Sequence, residues 1–432
     1  MREPIRQAVA VISVHASPVS ELGRGENGGM NLAIRRVCEG LAERGMPTDI
    51  FVRRDDRHAP AEELVAPMSR LVRLPVGPPR PLPKASLPAL TAAFAAALDA
   101  HARSEGRSYR AIHAHYWFGG LVAERLAAQW EVPWLQSFHT LARTKARAGL
   151  PLDAIRAAAE ERLVRSADRL VAASVSEAKD LIRLYRASRD HICVAQPGVD
   201  LRLFQPRDTK ALRRDLQLDG RRIVFFAGRL EPLKGADTLL EAANLLVAEQ
   251  GFEDLVVLIA GDNSGDGAMQ PGGERARLQR RAEEGPLAGR VRFLGAVRHE
   301  RLPDFYALAD VCVVPSRTES FGIVALEAQA LGTPVVASAV GGLSEVVEDG
   351  VTGVLVQGRD PARWADAIAG LLRNPERRAA MGDAARDRAA RFTWNRAIDR
   401  VAAIYDRLTV ARALPQTPCG YADDEVSLLR AG

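Results

Sequence analysis

Val311-Cys312-Val313-Val314-Pro315-Ser316-Arg317-Thr318-Glu319-Ser320-Phe321-Gly322-Ile323-Val324-Ala325-Leu326-Glu327-Ala328 reads as a strand, a polar loop containing glycine, and the first turns of a helix. The four apolar residues that open it suit a strand covered on both faces, which is how parallel strands sit in α/β proteins. The same alternation extends in both directions. Towards the N-terminus, strands are predicted at Arg222–Phe226, Leu255–Ile259 and Val291–Leu294, with a helix at 236–249 after the loop Gly228–Lys234. Towards the C-terminus, Pro334–Ala337 is a further strand, Arg359–Arg391 is helical and Trp394–Leu408 is a last helix.

An earlier series has the same form. Ala8–Val14, Asp49–Arg53, Ala111–His115, Trp134–Ser137, Arg169–Ala173 and Cys193–Ala195 read as strands, with helices at 31–44 and 119–130 among them. Pro197-Gly198 and the polar run 206–210 look like a linker and hinge between the series. Two successive βα series imply an α/β chain with two doubly wound, Rossmann-like domains, whose ligands bind beyond the carboxyl ends of the strands and in the cleft between facing domains. The expected division is 1–204, 205–393, and 394–432 as a helix returning towards the first domain followed by a loose tail from Pro415. Pro75–Pro88, with six prolines, should be an extended loop.

Bulk properties narrow the class. A chain of 432 residues is too long for one core. No apolar run reaches the roughly 18 residues of a membrane helix, and the start lacks a signal-peptide core, so a cytoplasmic protein is expected. Cys38, Cys193, Cys312 and Cys419 are far apart without a CxxC pair, which suits small buried residues in a reducing compartment rather than a disulfide framework or a zinc site. The net charge of +5 comes from arginines scattered among nearly as many acids, which argues against a nucleic-acid partner. Only five of the 59 basic residues are lysines, so Lys84 and Lys234 draw notice.

Four constellations carry chemistry. Glu319 and Glu327 flank a glycine loop and a helix start, where the backbone amides of Ser320, Phe321 and Gly322 suit sugar or phosphate oxygens; the plainer alternative is a helix cap and a surface acid. Gly228-Arg229-Leu230-Glu231-Pro232-Leu233-Lys234-Gly235 places two cations in a loop entering a helix, a receptor for a departing diphosphate or simply two exposed bases near a turn. Gly28-Gly29-Met30-Asn31 allows close backbone approach or is a flexible cap, and Arg53-Arg54 stand where a dinucleotide enzyme would end its second strand with an acid. His113 and His115 share a strand face, which permits metal ligation, but no third ligand has sensible spacing and ordinary polar contacts are preferred. His139 and Thr140 lie at a strand's carboxyl end.

These residues, with Ser13-Val14-His15-Ala16-Ser17-Pro18, His113-Ala114-His115-Tyr116-Trp117, His139-Thr140-Leu141-Ala142 and Pro197-Gly198-Val199-Asp200, resemble glycosyltransferase family four over about residues 8–410. Met30-Asn31 and Tyr116-Trp117 are similar to the branch that opens mycothiol synthesis on inositol 3-phosphate. The resemblance implies the GT-B fold, with an acceptor-binding first domain and a nucleotide-sugar-binding second. It implies that Arg229 and Lys234 hold the donor diphosphate, that Glu319 with the Phe321 and Gly322 amides binds the sugar, and that Glu327 binds the ribose. Gly29 would approach the diphosphate and His139 the donor sugar near the reacting carbon, so the implied catalytic set is Arg229, Lys234, Glu319 and His139. Asn31, Lys84, Tyr116, Thr140 and Arg156 would take the acceptor phosphate. The chain departs from the family's pattern at Ala157, at Thr318 and in the 261–275 loop.

The expected reaction is retaining transfer from a UDP-sugar such as UDP-N-acetylglucosamine to a phosphorylated acceptor such as inositol 3-phosphate. No metal or other cofactor is implied, because two cations can neutralise the leaving group. The partners are then small molecules; pairing with a second copy of the chain is left open. Rival readings are a hexose-phosphate transferase like sucrose-phosphate synthase, a sugar-nucleotide epimerase, and a non-catalytic nucleotide-sugar sensor.

Overall fold

The structure, a computed structural model, describes residues 7–20, 27–263 and 272–410. These form two compact units. One comprises 7–20, 30–196 and 394–410, the other 27–29 and the described part of 197–393.

The first unit is built on an eight-stranded sheet: β1 (Ala8–Ile12), β2 (Thr48–Arg53), β3 (Glu62–Ala66), β4 (Ser69–Leu74), β5 (Tyr109–His115), β6 (Trp134–Ser137), β7 (Arg169–Ala172) and β8 (Ile192–Val194). Their order is β3-β4-β2-β1-β5-β6-β7-β8, parallel throughout except for the edge pair β3–β4. β1, an unbroken Ala-Val-Ala-Val-Ile run, is buried along its whole length and pairs Val9 with Thr48 on one side and Ala10 with Ile112 on the other. That is the sequence pattern of a central parallel strand covered on both faces.

The second unit carries β9 (Arg222–Ala227), β10 (Leu255–Ala260), β11 (Val291–Gly295), β12 (Val311–Val314), β13 (Val335–Ser338) and β14 (Gly353–Val356). All its pairings are parallel, in the order β11-β10-β9-β12-β13-β14. Counting from its own first strand, this is the 3-2-1-4-5-6 order of a doubly wound sheet. The chain reverses direction across the sheet between β9 and β12, so the loops leaving those two strands diverge and leave a crevice at their carboxyl ends. Aliphatic strand residues such as Val224, Val257 and Val313 meet Leu239, Trp364 and Ile368 in its core.

Several elements differ from the sequence reading. The hairpin β3–β4 and the strand β14 were not expected. The predicted helix 359–391 is two helices, Pro361–Leu372 and Pro375–Ala389, because Pro375 cannot continue the first and Asn374 caps the second through the Arg377 amide. The 75–88 stretch is irregular apart from the short turn Lys84–Ser86. Cys38 and Cys312 are buried free thiols, as expected, and burial pushes both thiol pKa values up. Cys193 corrects the cysteine reading, being disulfide-bonded; wide spacing excludes a local pair but not one between distant residues. The tail from Pro415 and residues 264–271 of the 261–275 loop lie outside the described residues. Among the described residues no helix is long and apolar enough to cross a membrane.

Candidate functional site

The carboxyl ends of β9 and β12 carry the residues singled out in the second unit. The loop after β9 delivers Arg229 and Lys234, and the loop after β12 delivers Glu319, so the crevice between the two strands brings them together. Lys234 Nζ lies 2.6 Å from Glu319 Oε2, which also accepts from Ser316 Oγ at 3.3 Å. Arg229 pairs with Glu231 at 2.9 Å. Two backbone approaches hold these loops in place. Gly235 has φ 70°, and a Cβ there would lie 2.0 Å from the Pro315 carbonyl oxygen. Gly341, after β13, has φ 53° and would put a Cβ 2.0 Å from the Glu319 carbonyl oxygen, while the Gly342 amide donates to that same oxygen at 3.0 Å. Only glycine fits such contacts, and both tie the Glu319 loop to its neighbours.

Glu319 precedes the helix Ile323–Ala330, at whose start Phe321 is buried. Glu327 lies on that helix and is buried, which excludes the surface-acid alternative. Its Oε1 meets His299 Nε2 at 2.7 Å and its Oε2 accepts from Tyr306 at 3.0 Å. Burial and the Glu327 charge hold the Tyr306 phenol well above its ordinary pKa, so it remains a donor. Gly28 and Gly29 group with this unit; a Cβ on Gly29 would sit 3.2 Å from Ile323 Cδ1, placing that backbone at the start of the same helix.

In the first unit, the ends of β4, β5 and β6 supply a second cluster. Tyr116 follows β5 with φ 62° and His139 follows β6 with φ 61°, left-handed conformations that cost a non-glycine residue about 1–3 kcal/mol and concentrate at functional sites. Arg156, on the helix Ala154–Ser166, is buried and makes four side-chain hydrogen bonds. They run to Tyr116 Oη (3.0 Å), Thr140 Oγ1 (2.9 Å), the Thr140 carbonyl (2.5 Å) and Glu160 Oε1 (2.6 Å). Lys84 Nζ lies 6.0 Å from the Tyr116 ring centroid. Lys84, Tyr116, Thr140 and Arg156 are therefore one cluster, although they span 73 residues of sequence (156 minus 84, both ends counted). Asn31 lies in the first turn of the helix Gly29–Glu43, where its Nδ2 donates to the Ser17 carbonyl of the loop after β1 at 2.8 Å; the His15 ring of that loop lies 4.6 Å from the Tyr116 ring, tilted by 39°.

Beside this cluster lies a string of imidazoles. His113 is bonded to Tyr405 Oη at 2.7 Å and to Ser137 Oγ at 2.9 Å, its ring is 4.2 Å from that of His115, and His115 Nδ1 meets His139 Nε2 at 2.8 Å. Burial lowers the His113 pKa to about 3 and that of His139 to about 4, and it drives His115 well below its ordinary value. All three are neutral at neutral pH, each with one donor and one acceptor nitrogen. His113 and His115 thus share a face, as their spacing required, and both nitrogens of His113 go to hydroxyls.

Two family descriptions match: "Glycosyl transferase 4-like domain" over residues 28–224 and "Glycosyl transferases group 1" over 208–388. The D-inositol 3-phosphate glycosyltransferase of Thermobispora bispora is 41% identical, over 92% of this chain and 94% of that protein. The chain belongs to glycosyltransferase family four. A second relative of this family four transferase, the D-inositol 3-phosphate glycosyltransferase of Geodermatophilus obscurus, is 42% identical over 94% of this chain and 90% of its own. Among solved structures, the sucrose-phosphate synthase of Thermosynechococcus elongatus superposes with a TM-score of 0.86 at 33% identity, covering 94% of this chain and all of that one. The fold is GT-B and the chain is a transferase.

Sequence reasoning about the family four transferase missed the residues that hold the expected ones. Glu160 stands four positions after Arg156 on one helix, a spacing that pairs opposite charges, and could have been noticed. His299 and Tyr306 carry no such signal, since they reach Glu327 from 28 and 21 residues away.

Proposed function

We propose that this transferase moves N-acetylglucosamine from UDP-N-acetylglucosamine to inositol 3-phosphate with retention of anomeric configuration. The observation that carries the acceptor assignment is the convergence of Lys84, Tyr116, Thr140 and Arg156 on one spot. Two cations and two hydroxyls gathered there are what a phosphate monoester requires. Asn31, at the start of the helix that follows β1 and bonded to the Ser17 carbonyl, belongs to the same acceptor set. On the donor side, Arg229 and Lys234 receive the diphosphate, with Gly29 allowing close approach. Glu319 and the Phe321 and Gly322 amides take sugar hydroxyls, and the held carboxylate of Glu327 takes the ribose. His139, neutral and fixed by His115, lies near the reacting carbon.

Under this reading the diphosphate departs towards Arg229 and Lys234, and its own oxygen takes the proton of the incoming hydroxyl on the same face of the sugar. Positioning and fixed charge supply the catalysis, with no flanking carboxylate nucleophile of the glycosidase kind. Since the two cations offset the leaving charge, the reading calls for no resident cofactor.

The likeness to a sucrose-phosphate synthase favours a second reading, in which the same phosphate-binding residues take a hexose phosphate. UDP release from UDP-N-acetylglucosamine, with inositol 3-phosphate, fructose 6-phosphate or free inositol, separates the two, and NMR of the product reads the anomeric configuration. Turnover that requires inositol 3-phosphate and collapses in Lys84→Ala supports the first. Turnover with fructose 6-phosphate alone establishes the second, and an inverted product refutes retention.

A further inference from the structure

Resting on the phosphate-acceptor reading, we propose that Glu160 is a positioning residue: through Arg156 it turns the hydroxyl protons of Tyr116 and Thr140 outwards, so that both hydroxyls act as donors and favour an ionised oxyanion. The inference comes from following every proton in the cluster. A carboxylate only accepts and a guanidinium only donates, whereas a hydroxyl does either, according to its neighbours.

Glu160 is completely buried. Its Oε1 accepts Arg156 Nε at 2.6 Å, and its Oε2 accepts the Ala142 amide at 2.9 Å and the Tyr185 hydroxyl. The Tyr185 oxygen in turn accepts the Arg143 amide at 3.0 Å, so its own proton is committed to Glu160. Both Glu160 oxygens are therefore fixed acceptors. They hold the guanidinium in one orientation, and they also pin the start of the helix Ala142–Arg147, which follows Thr140 and has no side-chain cap.

The orientation dictates the next layer. Arg156 Nη1 donates to Tyr116 Oη and Nη2 donates to Thr140 Oγ1. Each hydroxyl oxygen has thus received a proton and must point its own elsewhere. Among the described residues no protein acceptor takes either one. The neighbouring Lys84 ammonium can only donate. Tyr116, Thr140 and Lys84 thus offer donors at this end of the cluster. A phosphate dianion can accept from all of them with charge-assisted bonds, while a neutral alcohol or a protonated acid accepts with fewer, uncharged lone pairs and finds no acceptor among them for its own proton, which is costly once water is excluded.

Glu160→Gln in the full-length chain tests this. The substitution keeps the volume, removes the counter-charge of Arg156 and turns one fixed acceptor into a donor. The readouts are the KM for inositol 3-phosphate, the inhibition constant of inorganic phosphate against it, the KM for UDP-N-acetylglucosamine, and kcat at saturating acceptor. The expected result is an acceptor KM and a phosphate inhibition constant both raised at least tenfold, with donor KM and kcat within about twofold of wild type, a split that general loosening of the fold would not give. A folded Glu160→Gln whose acceptor KM and phosphate inhibition are unchanged overturns the proposal. Should that variant not fold, Thr140→Val against Thr140→Ser decides. Valine keeps the shape without the proton and is expected to raise the acceptor KM at least tenfold, serine to leave it near wild type; equal behaviour of the two overturns the proposal. A wild-type protein that neither needs a phosphorylated acceptor nor binds inorganic phosphate overturns the acceptor reading along with this one. Wild-type dependence on phosphate with insensitive variants overturns this one alone.

Discussion

Lys234→Ala separates the chemical role of the lysine from its structural one. The ammonium lies 2.6 Å from Glu319 Oε2, with side chains about one quarter and one fifth exposed. At that distance the gross attraction is roughly 6 kcal/mol in an effective dielectric of about 20. Desolvation of both groups cancels most of it, leaving on the order of 1 kcal/mol of net stability and a melting shift of roughly 2–4 °C. Loss of a cation aimed at the departing diphosphate is larger, about 2.7–4 kcal/mol of transition-state stabilisation, or roughly 100–1000-fold in rate. The assay is UDP release, read as kcat/KM for the nucleotide sugar, beside a thermal melt of the same preparation. A double variant, Lys234→Met with Glu319→Gln, supplies the control, because it removes the unopposed carboxylate that the single change leaves behind. The expected result is a small melting shift, a hundredfold or greater loss in the single variant, and no recovery in the double. A loss under tenfold, or recovery to within tenfold of wild type in the double, refutes the leaving-group role and leaves Lys234 as the partner that keeps Glu319 in place.

Gly341→Ala must move the peptide of Glu319 or strain its own backbone, since its Cβ would lie 2.0 Å from that carbonyl oxygen; kcat/KM for the donor is expected to fall at least tenfold, and an unchanged value would show that the loop yields without cost. Glu327→Ala removes the acceptor of the buried Tyr306 hydroxyl and of His299. Stranding these should cost about 2–4 kcal/mol in a denaturant titration, and the UDP-induced rise in melting temperature should shrink as well; a UDP shift equal to that of wild type refutes the ribose role. His113 predicts a pH dependence of stability. Burial lowers its pKa to about 3 against an ordinary 6.5, so below pH 6.5 the unfolded chain takes up a proton that the folded state refuses. The stability is present in full above pH 6.5 and is lost as the pH falls towards 3, by about 2 kcal/mol at pH 5 for one such group. His113→Gln should lower stability at pH 7 and flatten the slope between pH 7 and 5; parallel slopes in the two proteins contradict the assignment.

The central strands were legible because burial on both faces writes itself as unbroken apolar runs, as at Ala8–Ile12 and Leu255–Ala260. The hairpin at the sheet edge was not. Glu62–Ala66 is largely open to solvent, and Ser69–Leu74 carries Arg70, whose charge is spent on Asp49, Glu62 and Glu105. The buried Leu71, Val72 and Leu74 are interrupted by Arg70 and Arg73, whose charges are paired with other segments of the chain, so the apolar run is too broken to read. Gly353–Val356 opens on a glycine and has only three apolar residues in a row, a weaker run than the equally short Val311–Val314. In the candidate site, the residues with a local motif, Arg229, Lys234, Glu319 and Glu327, could be picked from the sequence because loop and helix geometry constrains their spacing. The meeting of Lys84 with Tyr116 could not, since sheet order alone decides it, and it entered only through resemblance.

The first unit draws its last helix, Trp394–Val410, from beyond the whole of 197–393. That helix contributes Tyr405 to His113, Asp406 to Arg110 at 3.2 Å, Asp399 to Arg44 at 2.6 Å, and Ile398 to the space where a Cβ of Gly40 would otherwise sit. A chain leaving the ribosome cannot make these contacts until about 200 further residues have been synthesised, roughly 10–40 s at ordinary elongation rates. Through that interval the face around Gly40 is uncovered apolar surface and His113 lacks one of its two partners. The unit that begins folding first is thus the last to be finished, and a fragment ending near residue 393 would stay at that unfinished stage, open to aggregation and to proteases.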